Sequence, residues 1–458
     1  MKTRLDRRGF LRRATALSAA GLVSGLDLLS FAANAQSAVN DYRALVCVFL
    51  FGGVDGNNVI VPLDSVGYGA YAKARPPSSG INLAQSALLP IQPASTPSAF
   101  GLHPSLAELQ SLFAQNRLAI LANVGTLTRP LVKAQYASAN LPLQLFSHSD
   151  QVAQWQSAVS NSISLTGWGG RIADKALASA GAGQFPMVAS ISGTSLFGVG
   201  KSTRPLAIPA SGTFGLSGYT NSAVSNARSA ALQQILGDDN SNAFVASAKD
   251  IAAQALSLSS EVNAIISNSN SSIKSLFSGF PNNNSIAQQL YQVAKLIEAR
   301  ATTGVKRQIF FVSLGGFDTH NNELAVLQTL FSQLSPALKA FHDATLQLGV
   351  ADQVTAFTLS DFNRTFQPAS GQGTDHAWGN HQLIVGGAVR GSDIYGSLPT
   401  LALGGPDDTD SRGRWIPTTS VDQYGATLAR WFGVAEADLA SVFPNLGRFA
   451  SSNLGFMG

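Results

Sequence analysis

Cysteine is almost absent from this chain. Cys47 is the single thiol in 458 residues, so no intrachain disulfide and no cysteine-based zinc centre can form. Its place inside an apolar run reads as a buried, inert side chain. Charge is equally scarce, at 12% of residues, and Lys and Glu are few, which leaves no basic stripe for nucleic acid to follow. The formal net charge of +4 belongs to the first 35 residues, where Lys2, Arg4, Arg7, Arg8, Arg12 and Arg13 face Asp6 and Asp27. Beyond them 24 basic and 24 acidic residues cancel. No P-loop, dinucleotide-binding glycine fingerprint or Gly-x-Ser-x-Gly elbow occurs, which argues against nucleotide-dependent and serine α/β-hydrolase chemistry.

The N-terminus reads as an export signal. Asp6-Arg7-Arg8-Gly9-Phe10-Leu11-Arg12 resembles the twin-arginine pattern, a weakly apolar stretch runs to about Ala32, and Ala33-Asn34-Ala35 offers small residues for cleavage before Gln36. Asp27 and the interspersed Gly and Ser make the stretch too polar for a span. The expectation is a twin-arginine signal peptide over residues 1–35, read by the export machinery of that route. A mature chain over 36–458, with no stable membrane span, then reaches the periplasm or the exterior already folded.

With 45% apolar residues the remainder can bury a large core. Ala44 to Phe51, Leu118 to Val124, Gln308 to Leu314 and Val354 to Ser360 are short, continuous apolar runs rich in β-formers. Such runs suit strands covered on both faces of a parallel sheet. Helical patterns lie between them, and strand–helix alternation points to an α/β fold. Residues 64–100, rich in Pro, Ser and Gly, read as a surface excursion. The expected architecture over 36–458 is one α/β domain, a mostly parallel central sheet covered by helices on both faces, with a helical insertion at about 220–300.

Chemistry-bearing residues gather at the strand ends, where ligands of such sheets bind. Three apolar runs close on Asp55, Asp318 and Asp361, and five of the six histidines (His103, His148, His320, His376 and His381) lie in or beside such loops. Asp318 and His320 are two apart, so in extended backbone they point the same way. Carboxylates alone suit Mg, Ca or Mn, and imidazoles mixed with carboxylates suit Zn, Mn or Fe. A divalent metal site of one or two ions (Zn, Mn, Mg or Ca) is therefore expected. For Asp55 the bland alternative is an Asx-turn aspartate that satisfies the turn backbone. Ser147 or Ser149 suits the N-cap of a helix; the same position, beside free N–H groups and the positive dipole end, favours an anionic substrate and an ionised nucleophile. His148 is then an acid/base or supporting group.

The leader, Gly52-Gly53-Val54-Asp55-Gly56-Asn57, Leu102-His103-Pro104, Ser147-His148, Gly315-Gly316-Phe317-Asp318-Thr319-His320, Ser360-Asp361-Phe362-Asn363-Arg364-Thr365 and Thr374-Asp375-His376-Ala377-Trp378-Gly379-Asn380-His381 together resemble an exported bacterial family. It is catalogued as domain of unknown function 1501 and is related to the alkaline phosphatase and sulfatase superfamily. The resemblance covers nearly the whole mature chain and implies an alkaline phosphatase-like fold holding one or two metal ions. It implies metal ligands at Asp55, Asp318, His320, Asp361 and His381, with His376 as a competing or additional ligand. It also implies a nucleophile at Ser147, with Ser149 second, and Arg364 as the cation that neutralises an anionic substrate. Two positions depart from the superfamily pattern: Asp318 and His320 are closely spaced, and Phe362 stands where a histidine is usual, which bears on the second ion. The activity implied is hydrolysis of phosphate or sulfate esters, small or polymeric. The competing expectation is a non-catalytic exported binding protein on the same fold, with a cell-envelope or polysaccharide partner. Convergence of Asp55, Asp318, Asp361, His376 and His381 on one cluster would separate the two.

Overall fold

The apolar runs become the strands of one sheet, because their alternate residues are buried on both faces. In chain order the strands are β1 (Arg43–Leu50), β2 (Ile60–Pro62), β3 (Leu89–Ile91), β4 (Phe100–Leu102), β5 (Leu118–Gly125), β6 (Val188–Ser190), β7 (Leu206–Ala207), β8 (Arg307–Leu314), β9 (Val354–Ser360), β10 (Asn380–Gly386), β11 (Asp393–Tyr395) and β12 (Thr419–Ser420). The computed structural model describes residues 41–177, 185–215, 220, 222–237 and 242–458. The leader expected over 1–35 lies outside the described residues.

Nine of these strands form the main sheet in the order β11-β5-β10-β9-β1-β8-β6-β7, with β12 alongside β5. β1 runs parallel to β8 and to β9, with Leu50 opposite both Leu314 and Ser360. β6, β7, β11 and β12 also pair in parallel. Only β10 is antiparallel to its neighbours, β9 and β5. The sheet is thus mostly parallel and flanked by helices, as the alternating patterns imply. On one face Leu45, Cys47, Phe49, Ile309, Phe311 and Phe357 pack with Trp168, Tyr424 and Phe432, which come from helices Trp168–Ala176 and Val421–Phe432. The latter begins with a capping box between Ser420 and Gln423 and ends at Gly433 in the left-handed region, a matched start and stop. The opposite-pointing Val46, Val48, Phe310 and Val312 are equally buried, and helix Ser285–Glu298 lies against β8 and helix Glu323–Gln347. Helices Ala223–Gly237, Ala243–Ile266 and Ser285–Glu298 follow β7 in the chain.

The excursion after β2 does more than cross the surface. Its antiparallel sheet β2-β4-β3 and helix Ser65–Ala74 bring Tyr71 into a small core with Val61, Phe366 and Trp415, and the chain continues to the fully buried Arg75. No helix among the described residues is long and apolar enough to cross a membrane.

Candidate functional site

The loops after β1, β8 and β9 leave the same edge of the sheet, and β10, being antiparallel, starts there. Gly52 (φ +112°) and Gly53 (φ +82°) make the junction close. A Cβ on Gly52 would sit 2.3 Å from the Asp318 backbone nitrogen, and one on Gly53 would lie 2.5 Å from the Phe362 ring. Only glycine combines that backbone with that contact.

At this junction the side chains of four segments meet. His148 opens helix His148–Ser157, Asp318 and His320 follow β8, Asp361 follows β9 and His376 precedes β10. His148 Nε2 is 3.2 Å from His376 Nε2, which is 3.0 Å from His320 Nε2. The Asp318 carboxylate joins them: Oδ2 lies 3.4 Å from His148 Nε2, and Oδ1 lies 3.0 Å from His320 Nε2 and 3.4 Å from His376 Nε2. Phe362 closes one side, its ring centroid 4.8 Å from His148 and 4.5 Å from His376.

Each imidazole is also held from behind. Nδ1 of His148 is 2.7 Å from Asp361 Oδ2, whose other oxygen accepts from Gly52 N at 3.1 Å. Nδ1 of His376 is 2.8 Å from the Phe146 carbonyl, and Nδ1 of His320 is 3.4 Å from Asp375 Oδ1, a carboxylate paired with Arg412. A carbonyl can only accept, so His376 carries its proton on Nδ1; an ionised Asp361 sets His148 the same way. Two Nε2 lone pairs then face each other at 3.2 Å, an arrangement that repels unless a cation or a shared proton lies between.

The electrostatics agree. Burial works against charge on Asp318, but the hydrogen bond and charge of Arg364, with His320 and His148, outweigh it and hold the carboxyl below its ordinary range. Burial lowers His376 and so favours the neutral, ligating form. Burial also raises Asp361, against the bonds from His148 and Gly52. His148, Asp318 and His376 form a group able to hold a metal ion. One ligand atom from each lies within 4.8 Å of the others, and the 3.2 Å between the two imidazole nitrogens is close to the roughly 3.3–3.4 Å that separates two donors of a tetrahedral ion at about 2.0–2.1 Å, so the donor set fits. The outer partners, carboxylate or carbonyl behind each imidazole, are those that metal-binding histidines use.

The remaining expected residues are placed differently. Asp55 does not join the cluster: its carboxylate accepts from Arg75 at 2.5 and 3.0 Å, both side chains fully buried, and caps helix Gly56–Val59 through Asn57 N. The Asx-turn function therefore accounts for it. His381 lies inside β10 rather than in a loop. Its Nδ1 accepts from Asn123 N at 3.1 Å, where a register shift between Asn380 and Gln382 would leave that β5 group unpaired. His103 is likewise structural, accepting from Ser105 N. Arg364 is fully buried and committed to Asp318 Oδ1 (2.8 Å), Thr374 O (2.7 Å) and Thr374 Oγ1 (3.2 Å); it orients Asp318 and has no surface to offer a substrate. Ser147 Oγ donates to Asp150 Oδ2 at 2.6 Å and lies 3.1 Å from Ser149 Oγ.

Three participants had no legible signal. Arg75 lies in the Pro/Ser-rich excursion, Phe146 contributes only its carbonyl, and Glu323 looks like an ordinary first-turn helix residue. Glu323 is buried and accepts from the Thr319 and Thr374 hydroxyls. Burial first, and the Asp55 charge next, push its carboxyl up to about 8. The folded protein thus keeps a proton that the unfolded chain releases near 4.5, so stability falls as pH rises from about 4.5 to 8. Glu323→Gln is expected to flatten that decline, raising Tm at pH 8 more than at pH 5 by calorimetry. A parallel shift at both pH values would show that Glu323 holds no extra proton.

No curated protein sequence matches the chain. Among solved structures it is similar to the PsFucS1 sulfatase from Pseudoalteromonas sp., at 11% identity, covering 93% of this chain and 74% of that one with a TM-score of 0.35. It is also similar to a putative sulfatase from Bacteroides thetaiotaomicron (8% identity, 88% and 75% covered, TM-score 0.33). A third similar structure is the phosphonate monoester hydrolase of Agrobacterium radiobacter (9% identity, 86% and 74% covered, TM-score 0.30). A family model described as "Protein of unknown function (DUF1501)" matches residues 42–409, and the chain belongs to that family.

Proposed function

We propose that the protein is an exported, metal-dependent hydrolase of phosphate or sulfate esters, with one divalent ion at its centre. The observation that carries this reading is the approach of the His148 and His376 Nε2 atoms to 3.2 Å beside the Asp318 carboxylate. His148, His376 and Asp318 would hold the ion, with His320 as a further donor. An imidazole-rich set suits zinc or manganese better than magnesium or calcium. A divalent ion held there would supply Lewis acidity toward an ester oxygen. Asp361, the Phe146 carbonyl and Asp375 orient the imidazoles, and Arg364 keeps Asp318 anionic. Ser147 is the proposed nucleophile, because its hydroxyl already donates to Asp150 Oδ2 at 2.6 Å. As its oxygen bonds to the phosphorus or sulfur, the bond to the ester alcohol breaks, Asp150 takes the hydroxyl proton and passes it to the leaving alcohol, and water then releases the phosphate or sulfate from Ser147. Ser149, 3.2 Å from the same carboxylate, is second. The signal over 1–35, twin-arginine export, a periplasmic or secreted location and a single mature domain with a helical insertion belong to the same proposal.

Elemental analysis of the purified mature chain is expected to find about one divalent ion per molecule. Ser147→Ala should lower kcat on the best phosphate or sulfate ester roughly 10³-fold or more. A chain that holds no divalent metal, or unchanged hydrolysis by Ser147→Ala, ends this reading. One observation favours the second reading, a non-catalytic binding protein with a cell-envelope or polysaccharide partner: Asp55 and His381 stand apart from Asp318, Asp361 and His376, so the five do not form one centre. Retention on immobilised envelope polysaccharide, by a metal-loaded chain that hydrolyses no ester, would select it.

A further inference from the structure

The hydrolase reading requires a cation that meets the anionic group of the substrate, and Arg364 is too buried to be that cation. Two other guanidinium groups reach the rim of the cluster from the turn-rich segment 404–415. Asp408 organises this segment from within: its buried carboxylate accepts from the backbone N–H groups of Gly404, Gly413 and Arg414. Gly413, at φ +73°, presses so closely on Phe366 that a Cβ would sit 2.2 Å from that side chain. The segment is therefore pinned to the chain just beyond β9, and its side chains emerge at fixed places.

The two arginines differ in what they leave free. Arg414 gives Nε to the His376 carbonyl at 2.9 Å, stacks 4.3 Å over the Phe146 ring and reaches Asp410. Those contacts brace the loop that carries His376. Arg412 has 38% of its side chain exposed, and its guanidinium pairs with Asp375, itself 34% exposed, with no other hydrogen bond or ion pair among the described residues. Asp375 in turn lies 3.4 Å from His320. Arg412 thus stands one carboxylate away from the metal-ligand candidates, with most of its five N–H donors unused. A half-exposed ion pair is weak enough to exchange one anion for another, and the guanidinium fork matches the oxygens of a phosphate or sulfate group.

We infer that Arg412 binds the phosphate or sulfate group of the substrate, taking it in exchange for Asp375. This rests on the ester-hydrolase reading for its choice of anion. Asp375 is then a placeholder: it holds Arg412 beside the cluster and releases it to the incoming anion.

Inorganic phosphate and inorganic sulfate are the probes, titrated calorimetrically into the metal-loaded mature chain, with metal content measured for each variant. Arg412→Ala is expected to weaken binding of the preferred anion roughly 10- to 100-fold, with metal content unchanged, and Arg412→Lys to restore part of the loss. Asp375→Asn is the discriminating variant. If Arg412 exchanges partners, removing the competing carboxylate tightens anion binding. If Arg412 merely props Asp375 against His320, Asp375→Asn weakens binding as Arg412→Ala does. Equal anion affinity in wild type and Arg412→Ala, no binding of either anion by wild type, or weaker binding by Asp375→Asn each overturns the assignment. The two proposals fail separately. Ester hydrolysis with an unchanged KM in Arg412→Ala removes Arg412 and keeps the hydrolase. The expected pattern of anion binding, in a chain that hydrolyses no ester, keeps Arg412 and removes the hydrolase.

Discussion

His376→Ala is expected to abolish stoichiometric metal binding. His376 is the central side chain of the cluster, its Nε2 3.2 Å from His148 Nε2, 3.0 Å from His320 Nε2 and 3.4 Å from Asp318 Oδ1, so its removal breaks contact with all three. The affinity for zinc, measured by competition with a chromophoric chelator, should fall by more than about 100-fold, beyond the 10- to 100-fold cost of losing an outer hydrogen-bond partner. Asp361→Asn supplies the graded comparison. It leaves every inward-facing donor in place but puts an amide behind His148, and it should cost about 10- to 100-fold. His381→Ala should leave metal stoichiometry intact, because that imidazole serves Asn123 N. Equal zinc affinity in wild type and His376→Ala would mean that the four groups meet for another reason. A proton shared between His148 and His376 would then be the simplest account.

Arg75→Met should produce the largest loss of stability and little loss of metal. Its guanidinium and the Asp55 carboxylate are both fully buried, and Arg75 also donates to the Phe366 and Thr365 carbonyls. Burial opposes charge on Asp55, but the charge and hydrogen bonds of Arg75 reverse the balance and hold its carboxyl below the ordinary range. Removing one partner of such a pair leaves an uncompensated buried charge, at a cost of about 3–5 kcal/mol. Urea unfolding should show that loss, while metal content stays at the wild-type level. Asp55→Asn combined with Arg75→Met should recover part of it, since no isolated charge then remains. Loss of metal in Asp55→Ala, with the fold intact by circular dichroism, would return Asp55 to the ligand set.

The candidate site was partly legible. Asp318, His320 and His376 stood out because carboxylates and imidazoles are rare in a chain with 12% charged residues and six histidines. His148 stood out because a helix begins there. The distinction between inner donor and outer support was not legible. Asp361 and Asp318 both follow apolar strands, yet Asp361 faces the back of His148 while Asp318 faces the cluster. Asp55 shows the same limit: its partner Arg75 is 20 residues away in sequence, and no periodicity connects them. Phe362, read as a departure at a ligand position, proves to be a wall against which two histidine rings lie.

Local sequence was sufficient for what depends on neighbouring residues. Continuous apolar runs required strands buried on both faces, helical patterns between them required a flanked, mostly parallel sheet, and glycines after β1 marked a tight turn at the site edge. Tertiary structure alone decided the antiparallel course of β10, which brings His376 back to the carboxyl ends of β1, β8 and β9 and puts His381 inside the sheet. It also decided the burial of Arg75 and Arg364, and with it which charges are spent within the protein and which, like Arg412, remain at the rim. The physical reason is the range of the interactions. Strand and helix formation follows from backbone and burial preferences repeated over a few residues, whereas the ionisation, orientation and availability of a side chain depend on whichever distant segment is packed against it.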